Sequence, residues 1–232
     1  MSSFHPDVPK PYPVLPIQRG VGLDARIYLH HIVDTSRLVL RTLGPEGTSS
    51  DYCARSITRN GPLSCRQVVL HASFEEALAM AEEDMGSAVL VPNAYTGISD
   101  FYMSLRLVLF GSLLLDTPPY GIAAKFDSDV ATCARDKGSL RVSTHPAPAR
   151  LVRQLLPDSI SVDLVTAAST VDAAAKVVAG QADLCLSNAN AIQDHGLRPI
   201  TPLRPITMLW SIFTPVPGAP LPPDSSPENR HP

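Results

Sequence analysis

The sequence lacks the features that mark nucleic-acid-binding and membrane proteins. Its net charge is only −3 over 232 residues, whereas a nucleic-acid-binding surface needs an excess of basic residues. No apolar run approaches the roughly 20 residues that span a bilayer, and the run at 107–115 has only the length of a strand. We therefore expect a protein that binds neither nucleic acid nor a membrane.

The sequence also lacks a cysteine pattern that binds metal or forms disulfides. Its four cysteines include no CxxC pair, so we expect reduced thiols and no metal site. Prolines fall in the N-terminal residues where a signal peptide would be apolar, which indicates a cytoplasmic protein. Residues 1–36 and 215–232 are rich in proline, and we expect them to form an N-terminal extension and a disordered tail.

Between these ends, strand and helix patterns alternate in two successive sets. The first set has predicted strands at 37–43, 66–72, 87–92 and 105–115, and predicted helices at 49–57 and 73–84. The second has predicted strands at 139–146, 160–167, 182–189 and 206–213, and predicted helices at 147–156 and 169–180. This alternation predicts an α/β fold with mostly parallel sheets. Two sets and a returning strand indicate two lobes around a cleft.

Three of the predicted helices begin at hydroxyl residues or a proline. These starts are Thr48–Ser49–Ser50, His145–Pro146 and Ser169–Thr170. Helix N-termini offer free N–H groups and the positive end of the dipole, which suit a small anion. The loop at 44–50 lacks the lysine of a phosphate-binding P-loop. Serine and threonine are also ordinary N-caps, so the same residues could serve only the fold.

The remaining polar groups leave the chemistry open. Tyr95, Tyr102 and Tyr120 lie in polar stretches, where tyrosine can also be core packing with a satisfied hydroxyl. His145 could act as a general acid, because its ordinary pKa is near neutral, or could form a local hydrogen bond at a helix start. The sequence contains no GxSxG, HExxH or GxGxxG motif and no cluster of carboxylates. Spacing alone thus predicts a two-lobed α/β protein that binds a small anion.

Taken in order, the motifs resemble those of the prephenate dehydratase superfamily. GPEGTSSDYCA at 44–54 is similar to its GPxGTFSxxAA signature, and the stretches at 143–157 and 169–197 resemble its SHPQAL and STxxAA…YGL segments. The resemblance covers residues 38–214. It implies the dehydratase catalytic fold, which is periplasmic-binding-protein-like, with prephenate in a cleft between two lobes. Lobe 1 is expected at 37–115 plus 198–214 and lobe 2 at 116–197, with no phenylalanine-binding ACT regulatory domain.

The departures from the dehydratase pattern resemble prephenate decarboxylases of the bacilysin type. Dehydratases carry Thr-Arg-Phe near the end of this region, where the threonine is implicated in expelling the ring hydroxyl and the arginine binds carboxylate. Here MLWSIF at 208–213 places roughly Leu209-Trp210-Ser211 there, and PNAYTG at 92–97 replaces PIENSxxG. The resemblance implies non-aromatising decarboxylation of prephenate to a dihydro-4-hydroxyphenylpyruvate, in antibiotic or other secondary metabolism. Two alternatives stay open: a dehydratase that uses another acid, and a non-catalytic anion sensor.

The resemblance also suggests which residues form the site. The expected proton donors, besides water, are His145, Tyr95, Tyr102 and Tyr120. The expected substrate-binding residues are Gly47, Thr48, Ser49, Ser50, Asn93, Thr96, Ser169 and Thr170, with Trp210 as a wall of the pocket. No metal or organic cofactor is expected, because the diene of prephenate itself accepts the electrons of the breaking bond. We expect prephenate as the small-molecule partner, and a homodimer.

Overall fold

The computed structural model describes residues 28–29, 35–59, 61 and 63–216. The strands are β1 (Tyr28–Leu29), β2 (Val39–Leu43), β3 (Gln67–His71), β4 (Ser87–Pro92), β5 (Leu107–Asp116), β6 (Tyr120–Ala124), β7 (Leu140–Thr144), β8 (Val162–Thr166), β9 (Leu184–Asn188), β10 (Arg198–Pro199) and β11 (Thr207–Pro215). The helices are α1 (Ser49–Arg59), α2 (Phe74–Glu83), α3 (Ile98–Met103), α4 (Val130–Lys137), α5 (Arg150–Leu155), α6 (Thr170–Val178) and α7 (Ala189–Asp194). Most of the predicted N-terminal extension and C-terminal tail lie outside the described residues.

The described strands form two sheets, one in each lobe. The order in the first sheet is β1-β5-β11-β4-β2-β3, and in the second it is β10-β6-β9-β7-β8. The triplets β4-β2-β3 and β9-β7-β8 are parallel, as the alternation of strands and helices predicts. The remaining pairs are antiparallel, so the sheets are mixed rather than mostly parallel. The reason is the connection between the lobes: the chain leaves the first sheet along β5 and returns antiparallel along β11.

Both faces of the first sheet are covered by helices. On one face, Leu90 and Trp210 pack with Cys53 and Ile57 of α1 in one core cluster. On the other face, Phe213 packs with residues of α2 and α3. Side chains that alternate along a strand point to opposite faces, and strand β4 is buried almost throughout because it supplies both cores. The loop that follows β2 is the part of this sheet that contacts the second lobe, since the Gly47 carbonyl accepts from the Asn188 amide.

The sheets differ in detail from the lobe boundaries expected from the sequence. Arg198–Pro199 pairs with β6 in the second sheet, so the chain returns to the first lobe only after this short strand. Tyr28–Leu29 pairs with β5 although it lies in the expected N-terminal extension. Helix α5 begins at Arg150 rather than 147, because residues 146–149 form a turn in which the Ala149 amide donates to the Pro146 carbonyl at 3.2 Å.

Candidate functional site

The loop at 44–50 leaves β2 and enters α1 at the boundary between the lobes. Gly47 has a φ of +83°, a left-handed conformation that favours glycine. Thr48 is the N-cap of α1: its hydroxyl accepts from the Asp51 amide and donates to the Leu43 carbonyl, both at 3.2 Å. The Asp51 carboxylate accepts from the Gly47 amide at 3.0 Å. The Thr48 hydroxyl is thus hydrogen-bonded to the residues on either side of the loop, Leu43 and Asp51, and Ser50 is also buried.

The same loop contacts the second lobe through two hydrogen bonds. The Ser49 hydroxyl lies 2.8 Å from the Tyr120 hydroxyl at the start of β6. The Asn188 side-chain amide donates to the Gly47 carbonyl at 3.0 Å. Asn188 was not among the predicted site residues. The sequence feature that could have indicated it is its position just before a helix, where asparagine is a favoured N-cap.

The start of α6, which was also predicted to bind an anion, lies at the boundary between the lobes as well. Ser169 is the N-cap and accepts from the Asp172 amide at 3.0 Å. The Thr170 hydroxyl accepts from the Asn188 amide at 3.1 Å. Both residues are buried. Their side chains therefore stabilise the helix start and its contacts, whereas first-turn backbone N–H groups of an α-helix have no partner within the helix.

Two clefts open on either side of the loop at 44–50. The large cleft has a volume of about 530 Å³ and is lined by Gly44, Pro45, Leu70, His71, Ala72, Ala168, Ser169, Val171 and Asp172. The small cleft has a volume of about 300 Å³ and is lined by Gly47, Asp51, Tyr52, Arg55, Ser56, Arg59 and Asn190. The large cleft joins the motif loop to the start of α6 and has the size of a small-molecule site. In the small cleft, Arg55 already pairs with Asp51 and Glu46. Because it is the larger of the two and joins two segments predicted to bind substrate, the large cleft is the better candidate for the substrate site, and the Asp172 carboxylate in its lining is paired with Lys176.

Asn93, Tyr102 and Ser211 form a closed ring of hydrogen bonds at the end of β4. Ser211, which is fully buried, donates to the Asn93 side-chain carbonyl at 2.7 Å. Its single proton is then committed, so the Tyr102 hydroxyl donates to Ser211 across 2.9 Å. The Asn93 amide in turn donates to the Tyr102 oxygen at 3.3 Å. The ring unites two predicted site residues with Ser211 of β11.

Tyr95 makes contacts that favour packing. Its ring lies 4.7 Å from the ring of Phe74, and its hydroxyl donates to the Glu75 carboxylate. Burial first, and then the hydrogen bond and charge of Glu75, raise the pKa of Tyr95 to about 12. Its neighbour Thr96 is exposed on the same loop.

His145 follows β7, which runs parallel to β9, and it is not among the residues that line the two clefts. Its Nδ1 lies 3.2 Å from the Ala147 amide, which donates to it. In the neutral ring the proton is therefore on Nε2. Burial lowers the pKa of His145 below its ordinary value, because the charged ring loses solvation.

Trp210 lies within the core cluster of the first lobe and is 1% exposed. It is not among the residues that line the two clefts. Its indole Nε1 is buried and has no hydrogen-bond partner among the residues that the structure describes. Its role as a wall of the pocket stays a prediction, and its ring packs in the same core cluster as Ile57 and Leu90.

The described residues hold no group of three or more histidine, cysteine and acidic side chains that could bind a metal ion. The four cysteines, Cys53, Cys65, Cys133 and Cys185, are free thiols. Burial raises the pKa of Cys53 and Cys185, so these thiols are poor nucleophiles. Within the described part of the chain, no helix has the length and apolar character of a bilayer span.

Comparisons with known proteins were made at the level of sequence and of fold. No family model matches the chain. The chain is 35% identical over 179 residues to a protein named prephenate decarboxylase from Bacillus amyloliquefaciens, a match that covers 76% of this chain and 86% of that protein. It is 33% identical over 187 residues to a protein of the same name from Planktothrix agardhii strain NIVA-CYA 126/8, covering 78% and 89% of the two chains.

Among solved structures, the fold is similar to that of the prephenate dehydratase from Arthrobacter aurescens in complex with L-Phe. The TM-score is 0.59 at 14% identity, and the match covers 77% of this chain and 61% of that one. The chain thus spans about three fifths of the dehydratase chain. This likeness confirms the expected α/β fold with two lobes.

Proposed function

The chain belongs to the prephenate decarboxylase family, and we propose that it removes CO₂ from prephenate while the ring hydroxyl is retained. The bond from the ring to its carboxylate breaks, and its electron pair moves into the cyclohexadiene. One proton then forms a C–H bond at a ring carbon, which gives CO₂ and a dihydro-4-hydroxyphenylpyruvate. The chain's similarity to proteins of that name over most of its length is the observation that carries the proposal.

The reaction requires that no acid reach the ring hydroxyl. If the hydroxyl is protonated, it leaves as water and the ring becomes aromatic, which is strongly favourable. The strand that replaces the dehydratase Thr-Arg-Phe motif supports this requirement. The side chains of Leu209 and Trp210 do not ionise and so cannot act as acids. The hydroxyl of the buried Ser211 donates its proton to Asn93. An enzyme with these residues can withhold the proton that dehydration needs.

His145 is our proposed proton donor to the ring carbon. The other three predicted donors have engaged hydroxyls: Tyr95 with Glu75, Tyr102 with Ser211, and Tyr120 with Ser49. The Nε2 of His145 has no such partner within the described residues. Tyr95, Tyr102, Tyr120 and bulk water are the alternatives that variants of each residue would separate.

In this proposal, hydrogen-bond donors rather than a metal ion bind the two carboxylates of prephenate. The backbone N–H groups in the first turn of α6 supply donors and the positive end of a helix dipole at the large cleft. The predicted hydroxyls Thr48, Ser169 and Thr170 hold the two helix starts in place through their own hydrogen bonds. Gly47, Ser49, Ser50, Asn93 and Thr96 stay predicted contacts of the substrate.

The product that the protein forms from prephenate distinguishes decarboxylation from the alternative functions. Prephenate becomes aromatic on its own in acid, so the protein is incubated with it at mildly alkaline pH beside a sample without protein, and NMR follows the ring protons. CO₂ release with olefinic ring signals is expected. Phenylpyruvate as the main enzymatic product would identify a dehydratase, and binding without turnover would identify a sensor. The homodimer and the cytoplasmic location stay predictions, which light scattering and fractionation would test.

A further inference from the structure

Two paired residues of the second lobe both contact the loop at 44–50 of the first. Tyr120 of β6 and Asn188 of β9 stand opposite each other in the second sheet. The Tyr120 hydroxyl is 2.8 Å from that of Ser49, and the Asn188 amide is 3.0 Å from the Gly47 carbonyl. One strand pair therefore supplies both of these hydrogen bonds between the lobes.

Asn188 is fully buried, and every polar atom of its side chain has a partner. Its Oδ1 accepts from the Ala191 amide at 2.9 Å, which caps α7. Its Nδ2 donates both to the Gly47 carbonyl at 3.0 Å and to the Thr170 hydroxyl at 3.1 Å. The opposite orientation of the amide would place NH₂ against the Ala191 N–H, so the contacts fix which atom is oxygen. One side chain thereby joins three elements from both lobes.

We propose that Asn188 is a positioning residue that sets the distance between the two walls of the large cleft. One wall contains Gly44 and Pro45 of the loop, and the other contains Ser169 and Val171 at the start of α6. The amide of Asn188 binds an atom close to each wall: the carbonyl of Gly47 and the hydroxyl of Thr170. The inference rests on the proposed function insofar as the cleft holds prephenate.

The chemistry of the amide matters because the site requires one acceptor and two donors on one short side chain. Aspartate has the same shape and keeps the acceptor for Ala191, but when ionised it offers no proton to Gly47 or Thr170. It would also bring a negative charge towards a carbonyl oxygen. A shift of about 1 Å in the groups that orient a substrate can cost about 100-fold in rate. The position should therefore be sensitive to loss of the donors even when the helix cap is kept.

The test compares Asn188→Asp with Gln193→Glu. Both exchange an amide for a carboxylate in or at α7, but Gln193 is exposed. At mildly alkaline pH, Asn188→Asp should lower kcat/KM for prephenate about 10- to 100-fold, and Gln193→Glu should leave it within about twofold of wild type. Retention of the acceptor for Ala191 should leave the circular dichroism spectrum unchanged.

The pH dependence supplies a readout that a purely structural defect would not move. When the introduced carboxylate is protonated, it regains one O–H donor. The ratio of the Asn188→Asp rate to the wild-type rate should therefore rise as the pH falls, after subtraction of spontaneous aromatisation, while the ratio for Gln193→Glu stays constant. A ratio that is the same at every pH would overturn the proposal.

Hydrogen exchange separates a failure of this inference from a failure of the proposed function. In the ligand-free protein, backbone amides at 44–50 should exchange faster in Asn188→Asp than in Gln193→Glu, whatever the substrate is. If Asn188→Asp does not fold, Thr170→Val removes one acceptor of the amide with little change of shape, and it should accelerate exchange at the start of α6. Wild-type exchange together with wild-type kinetics in either folded variant would overturn the proposal even if prephenate is the substrate.

Discussion

The hydroxyl groups of Tyr102 and Ser211 lie 2.9 Å apart although the residues are 109 positions apart in the chain. Asn93 closes the pair into a ring, and each of the three side chains donates one proton within it. A phenol whose proton is held in this way is a poor donor to a substrate. Ser211 is likewise unable to act as the acid that dehydration would need.

Ser211→Ala should break the ring. The substitution removes the donor to Asn93 and the acceptor of the Tyr102 proton, so we expect the free energy of unfolding to fall by about 1–3 kcal/mol. Turnover should fall with it, because Asn93 loses its orientation. Urea denaturation and steady-state kinetics measure the two effects. Ser112→Ala on β5 is the control, since Ser112 pairs with Ser211 across the sheet but its side chain has no hydrogen bond in the described residues.

His145→Gln tests the proposed proton donor. Glutamine keeps a polar side chain of similar length but cannot transfer a proton, so kcat should fall by about 10²- to 10⁴-fold. The control is Tyr95→Phe, because the proton of Tyr95 is given to Glu75. A larger loss of kcat in Tyr95→Phe than in His145→Gln would reverse the assignment.

The pH dependence of the wild-type rate is a second test of His145 as the proton donor. If His145 donates as the charged imidazolium, the rate falls as the pH rises above its pKa. Burial lowers that pKa in the free protein, whereas a bound dianion raises it by favouring the charged ring. The apparent pKa in kcat should therefore be higher than that in kcat/KM, since the two report the complex and the free enzyme. Equal values, or rates independent of pH, would favour water as the donor.

The sequence predicted those parts of the fold whose signals are local. Helix α6 has apolar residues at helical spacing, Ser169 as its N-cap and Gly180 at its end, where φ is +74°. Helix α4 was missed although Val130, Cys133 and Ala134 lie at helical spacing and pack against the core of the second lobe, because eight residues with none fully buried give only a weak apolar pattern. Its ends were further local signals: Asp129 is the N-cap, and Gly138 ends the helix with a φ of +70°.

The site was less predictable than the fold because its contacts join distant parts of the chain. The hydrogen bond from the Asn188 amide to the Gly47 carbonyl joins residues 141 positions apart in the sequence, and no local pattern encodes it. The motif resemblance indicated the loop at 44–50, and the hydroxyls there suggested substrate contacts. The structure shows that the Thr48 hydroxyl is hydrogen-bonded to Leu43 and Asp51, which flank the loop. Sequence patterns identified the segments that meet, and only the structure shows which atoms of those segments are already occupied.

Thr48→Ala should therefore act first on stability. Loss of an N-cap hydroxyl costs about 0.5–2 kcal/mol, and Thr48→Ser should restore most of it. Any effect on KM should follow the movement of the α1 start rather than the loss of a direct contact with substrate. Denaturation curves and kinetics on both variants measure this. A wild-type free energy of unfolding combined with a large rise in KM for Thr48→Ala would instead indicate direct binding.

Asp183 should make the stability of the second lobe depend on pH. Burial alone would raise the pKa of this carboxyl, but hydrogen bonds from Lys137 and Arg141 outweigh burial and lower it to about 2. A carboxyl with a lowered pKa stabilises the fold above its unfolded pKa and loses that contribution as the pH falls through the folded value. Asp183→Asn should therefore cost about 1–2 kcal/mol at pH 7 and progressively less below about pH 4. A cost that does not change with pH in urea denaturation would contradict this.

Prephenate should raise the melting temperature, and phenylalanine should not. A ligand that binds only the folded protein stabilises it by mass action, by about 2.7 kcal/mol at 100 times its Kd. The large cleft lies between the lobes, so a dianion there contacts both and favours their closed arrangement. Phenylalanine lacks the ring carboxylate, so it offers only one of the two anionic groups that the cleft is proposed to bind. Thermal denaturation at mildly alkaline pH, with phenylpyruvate as a second control, measures the shifts. Stabilisation by phenylalanine without any by prephenate would favour a sensor over an enzyme.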